Sequence, residues 1–135
     1  MKDRVFLDTN ILLYLFSEDE HEKSTVCATA LKKYSCITST QAINELCNVF
    51  TKKWKLPIED IETAVQDIKK ICDIRLVDLT IVSRALEIHK KHGYSYYDCL
   101  MLSVAIFNDC KYILSEDMKD GHIIDGLEIA NIFIR

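Results

Sequence analysis

The chain has 135 residues, the size of one ordinary domain, and 43 of them are Leu, Ile, Val or Phe against only three Gly and one Pro. That composition excludes disorder, collagen and Gly- or Pro-rich β-sandwiches. A net charge of -4 gives no general attraction for a polyanion, so contact with nucleic acid has to be local or assisted by a metal ion.

Val5-Phe6-Leu7 predicts a first strand, closed by Asp8-Thr9-Asn10, whose side chains suit the start of a helix over Ile11 to Phe16. Lys23 to Tyr34 is helical in period, and Cys36-Ile37-Thr38 predicts a second strand. The polar run Thr38-Ser39-Thr40-Gln41 opens a further helix with Ala42, Ile43, Leu46, Cys47, Phe50 and Trp54 as its apolar stripe, ending before Pro57. Ile58, Ile61, Val65, Ile68 and Cys72 mark the next amphipathic helix, and Ile74 to Leu79 predicts the third strand. A helix over Ile81 to His92 stops at Gly93. Ser95-x-x-Asp98 is a capping box for a helix that is apolar all round from Cys99 to Phe107. Tyr112-Ile113-Leu114 predicts the fourth strand, and Ile129 to Ile134 a fifth.

Strands joined by helical crossovers favour a mainly parallel, roughly five-stranded sheet covered by helices, in a single domain over residues 1–135. The six cysteines form no CxxC pair and read as reduced, mostly buried thiols. No apolar run approaches the ~18 to 20 residues of a membrane span, and no signal peptide precedes Val5. The expectation is a soluble, cytoplasmic protein.

In such sheets ligands bind beyond the carboxyl ends of the strands, and there the chain is acidic. Asp8 follows the first strand; Glu116 and Asp117, behind Ser115, follow the fourth. Alone, Asp8 reads as a helix cap and the other two as solvated loop. Asp98 is explained either by its capping box or as a partly desolvated carboxylate in need of a cation. Glu45 lies about 140° from the centre of its helix's apolar stripe, so periodicity leaves it in water; only the start of its helix beside the second strand brings it near the same edge. Converging carboxylates call for a hard divalent ion such as Mg²⁺ or Mn²⁺. The four histidines show no zinc spacing, and Gly121 with Gly126 lacks the Lys and Ser or Thr of a P-loop.

Phe6-Leu7-Asp8-Thr9-Asn10, Asn44-Glu45-Leu46, Ser95-Tyr96-Tyr97-Asp98 and Leu114-Ser115-Glu116-Asp117-Met118, in this order and spacing, resemble PIN domains. The likeness is greatest to small metal-dependent ribonucleases of the VapC type, found in toxin-antitoxin pairs, and it covers essentially the whole chain. It implies a three-layer α/β/α sandwich in which Asp8, Glu45, Asp98 and Asp117 form an acidic site for one or two Mg²⁺ or Mn²⁺ ions. Asn10 and Ser115 give polar support, and Asp117 rather than Glu116 falls on the motif. The implied activity is endoribonucleolytic hydrolysis of RNA, with a cognate antitoxin and a homodimer as assemblies. Two other classes stay open: a non-catalytic RNA- or protein-binding module, and a metal-dependent phosphatase. Lys52, Lys53 and Lys55 around Trp54 are candidate phosphate contacts, though a solvated helix end explains them as well.

Overall fold

Val5, Phe6 and Leu7 are all wholly buried, so both faces of the first strand are covered and the strand lies at the centre of a layered fold. The computed structural model describes residues 1–135. In chain order the elements are β1 (Arg4–Leu7), α1 (Thr9–Phe16), α2 (His21–Lys33), β2 (Ser35–Ser39), α3 (Thr40–Lys52) and α4 (Ile58–Ile71). There follow β3 (Asp73–Arg75), α5 (Leu79–His92), α6 (Tyr96–Phe107), β4 (Tyr112–Leu114), β5 (Ile123–Ile124) and β6 (Leu127–Ala130).

The sheet runs β3-β2-β1-β4-β6-β5, parallel except for β5. Crossovers from β1 to β2 and from β2 to β3 step one way, whereas the crossover from β3 to β4 steps back past β1. Because such connections are right-handed, α1 to α4 fall on one face of the sheet and α5 and α6 on the other. Strand order therefore reverses between β1 and β4, and the crevice at their carboxyl ends is the favoured ligand position of this architecture.

Helix α6 supplies the core of its layer. Cys99 to Ala105 are seven consecutive buried residues, as expected of a helix enclosed by the sheet and α5. Gly93 ends α5 at φ 76°, a left-handed cap that returns its N–H to the His89 carbonyl. All six cysteines are unpaired and five are buried. No helix is long and apolar enough to cross a membrane.

The sheet has six strands rather than five. Asp125 and Gly126, at φ 49° and 85°, form a two-residue turn of the hairpin type, which adds β5 antiparallel to β6. The expected strand over Ile129 to Ile134 instead ends at Ala130, because the Asn131 N–H turns off the sheet to the Asp120 carboxylate at 2.8 Å. The third strand is likewise shorter than Ile74 to Leu79. Beyond Arg75 the chain leaves the sheet, and the Asp78 carboxylate accepts from the Ile81 N–H at 2.9 Å to start α5.

Candidate active site

Asp8 takes the position before α1 yet makes no side-chain cap to it. Instead its carboxylate faces β4 and accepts a 2.7 Å bond from the Ser115 hydroxyl, while its backbone N–H continues the sheet to the Leu114 carbonyl at 3.2 Å. The residue is only 3% exposed. Burial pushes its carboxyl up to about 7, helped by the charges of Asp98 and Asp117 and opposed by bonds from Ser115 and the Thr9 N–H.

The turn after β4 sends its two acids to different partners. Asp117 lies on the side of α1's first turn, where its carboxylate accepts from Asn10 at 2.8 Å, and its N–H is held by the Ser115 hydroxyl at 3.2 Å. Glu116 points toward α2, pairing with Lys23 at 2.9 Å and hydrogen-bonding Tyr14. Of the adjacent pair, then, Asp117 is the one whose charge bears on Asp8 and Asp98.

Asp98 sits in the first turn of α6, its N–H bonded to the Ser95 hydroxyl at 3.3 Å as the capping box requires. Burial raises its carboxyl, with Asp117 adding to the rise and Ser95 resisting it. Glu45 reaches the same edge because α3 packs against both α1 and α6, so a flank of the helix, not only its core stripe, is enclosed. Its Oε2 accepts from the Thr9 hydroxyl at 3.4 Å. Burial and Asp98 raise its carboxyl, while Thr9 and Gln41 lower it.

The structure thus brings Asp8, Glu45, Asp98 and Asp117 together beside the β1/β4 crevice, with Asn10 and Ser115 bonded to two of them. Thr9, which sequence reasoning missed, bonds Glu45. Thr9's signal was a hydroxyl directly after Asp8 at the head of an apolar helix. Lys52, Lys53 and Lys55 are exposed at the far end of α3, with Lys52 about 10 Å along the helix from Glu45. They take no part in the cluster.

None of the four acids is in an ion pair. Their oxygens are the donor set of a hard cation, but no three stand close enough to ligate one ion directly. That suits Mg²⁺ or Mn²⁺, which keep several waters and take few carboxylates. Cavities of about 500 and 470 Å³ lie elsewhere on the surface and are lined by none of these acids.

Residues 5–119 match the family model of the PIN domain. The chain belongs to the PIN domain family. Among solved structures, this PIN domain is similar to one in a toxin-antitoxin complex from Klebsiella pneumoniae, with TM-score 0.70 and 21% identity over 91% of this chain and 94% of that one. It is similar to a chain of VapBC2 from Rickettsia felis bound to a promoter DNA fragment, with TM-score 0.68 and 19% identity over 95% and 98% of the two chains. It also resembles VapC20 of Mycobacterium tuberculosis, a toxin that cleaves the Sarcin-Ricin loop, with TM-score 0.67 and 16% identity over 84% and 91%. No curated protein matches the chain by sequence.

Proposed function

We propose that this PIN domain is an endoribonuclease dependent on Mg²⁺ or Mn²⁺ and the toxin of a toxin-antitoxin pair. The observation that carries the reading is the gathering of four carboxylates without a cation at the strand-order reversal, with Asp8 raised to about 7 by burial and by its neighbours. Asp8, Asp98 and Asp117 would hold one or two ions directly or through water, in a site left incomplete by protein ligands alone. A bound ion there supplies Lewis acidity toward a phosphodiester and makes an attacking water more acidic.

The chain's own groups do the rest. Glu45, half-buried and raised, accepts the proton of the attacking water. Water adds to phosphorus, the bond to the leaving ribose oxygen breaks, and that oxygen takes up a proton from solvent. Ser115 and Asn10 hold Asp8 and Asp117 in fixed orientations. The complete acid set argues against a purely binding role.

The Klebsiella structure is of a toxin-antitoxin complex, and VapC20 is a toxin that cleaves the Sarcin-Ricin loop; the shared fold supports an RNA substrate and a protein antitoxin here. An antitoxin that covers the acids with a basic side chain would neutralise them. The same reading places the protein in the cytoplasm as a homodimer, for which light scattering over a concentration series is the check.

The test is incubation of antitoxin-free protein with total cellular RNA and Mn²⁺ or Mg²⁺, beside EDTA and Asp8→Asn controls, with the new ends mapped. Discrete cuts that need both ion and Asp8 are expected. Turnover of phosphomonoesters without RNA cleavage would assign the phosphatase instead. Absence of any hydrolysis, with RNA bound intact, would assign the binding module.

A further inference from the structure

Outside the four acids, one part-buried polar network lies directly behind them. Asn10 and Tyr14 are one turn apart on the same face of α1, and each reaches one of the adjacent acids after β4: Asn10 meets Asp117, and Tyr14 meets Glu116. Lys23 from α2 completes the second contact, 2.9 Å from Glu116 and 3.2 Å from the Tyr14 hydroxyl. Its ammonium also lies 4.8 Å from the Tyr14 ring centre and 5.2 Å from that of Phe133, and the two rings meet edge to face.

Glu116 and Asp117 differ by one methylene on a short loop. A modest loop rotation would exchange them, bringing Glu116 into the crevice and taking Asp117 out. Ser115 holds the Asp117 N–H but is indifferent to which carboxylate faces inward. The cation that discriminates is Lys23, and it sits on the outer side.

We propose that Lys23, with Tyr14, is a positioning residue that anchors Glu116 outward so that Asp117 is presented to Asp8 and Asp98. The proposal rests on the metal-nuclease reading above.

The test is Mn²⁺ titration of the full, antitoxin-free chain followed by electron paramagnetic resonance, with RNA kinetics in parallel. Lys23→Met should weaken Mn²⁺ binding about 10-fold, the scale of lost support behind a ligand. It should lower kcat with KM for RNA within twofold and leave the melting temperature in EDTA nearly unchanged, and Lys23→Arg should recover most of the loss. Glu116→Gln removes the competing carboxylate, so it should weaken Mn²⁺ binding less than Lys23→Met does, and adding Lys23→Met to it should cost little more. Should Lys23→Met fail to fold, Tyr14→Phe gives the same reading, because it removes one hydroxyl and keeps the ring contacts; a loss of a fewfold is expected.

A folded Lys23→Met or Tyr14→Phe protein that binds Mn²⁺ as wild type does would overturn the positioning role. So would a Lys23→Arg protein as weak as Lys23→Met. Asp8→Asn separates the two levels: if wild-type protein shows no Asp8-dependent Mn²⁺ binding, the metal-nuclease reading fails and the positioning role with it.

Discussion

At the amino end of the sheet, Lys111 pairs with Asp3 at 3.4 Å and Arg4 donates to the Asn108 carbonyl at 3.0 Å, both in solvent; at the carboxyl end, four carboxylates gather with no ion pair among them. Where the amino end buries titratable groups it buries neutral ones. Burial pushes the Cys36, Cys72 and Cys110 thiols up to about 11, 12 and 12, well above physiological pH. The carboxyl end instead encloses Asp8, whose anion is disfavoured on the order of 4 kcal/mol if it ionises near 7 rather than 3.8. One edge is arranged for stability, and the other stores like charge that a retained proton or an added cation relieves.

The largest break in this contrast is Asp8→Asn. RNA cleavage should fall by more than about 100-fold, since even groups standing behind a metal ligand are worth about 10- to 100-fold. At pH 8 in EDTA the same variant should melt higher than wild type by several degrees, because a buried charge has been removed. Loss of activity together with loss of stability would contradict the stored-charge account.

Ser115→Ala sharpens it. That hydroxyl donates to the Asp8 carboxylate at 2.7 Å and accepts from the Asp117 N–H at 3.2 Å. Urea denaturation at pH 8 should show a loss of about 1.5 to 3 kcal/mol, the range for a bond to a charged group. At pH 5, with Asp8 protonated, the loss should be clearly smaller. Equal losses at the two pH values would mean that the bond does not serve the anion. The smallest effect belongs to the amino end: Lys111→Met should move the melting temperature by no more than about 2 °C at either pH, as exposed ion pairs contribute little.

What the sequence revealed follows the range of the interactions involved. Val5-Phe6-Leu7, the all-apolar Cys99 to Phe107 stretch and the Ser95 capping box are local signals, and each lies where it was expected. Glu45 was illegible by pattern because a helical wheel assumes one buried side, whereas α3 touches both α1 and α6. Motif resemblance alone singled it out. The Asp125-Gly126 hairpin signal was present, but the apolar run from Ile129 to Ile134 hid it, and only the Asp120 to Asn131 bond shows where that strand stops. Similarly, Leu76 and Leu79, 77% and 81% exposed, looked like strand residues because hydrophobicity by itself does not distinguish a core position from a surface one. The outward turn of Glu116 depends on Lys23, 93 residues earlier in the chain, and no local pattern encodes that pairing.

The most direct measurement of the central claim is the melting temperature from pH 4 to pH 9, in EDTA and in Mn²⁺, for wild type and Asp8→Asn. An aspartate whose folded pKa is raised holds its proton in the folded state at pH values where the unfolded chain has already released it. Its contribution to stability is therefore complete below about 4 and lost as the pH climbs through about 7. Glu45 and Asp98, also raised, act in the same direction. Mn²⁺ competes with those protons and binds the folded state, so its stabilisation should be near zero at pH 5, rise through pH 7 and level off above it. In Asp8→Asn most of that rise should vanish. A gain from Mn²⁺ that is the same at pH 5 and pH 8, or that survives in Asp8→Asn, would contradict the account.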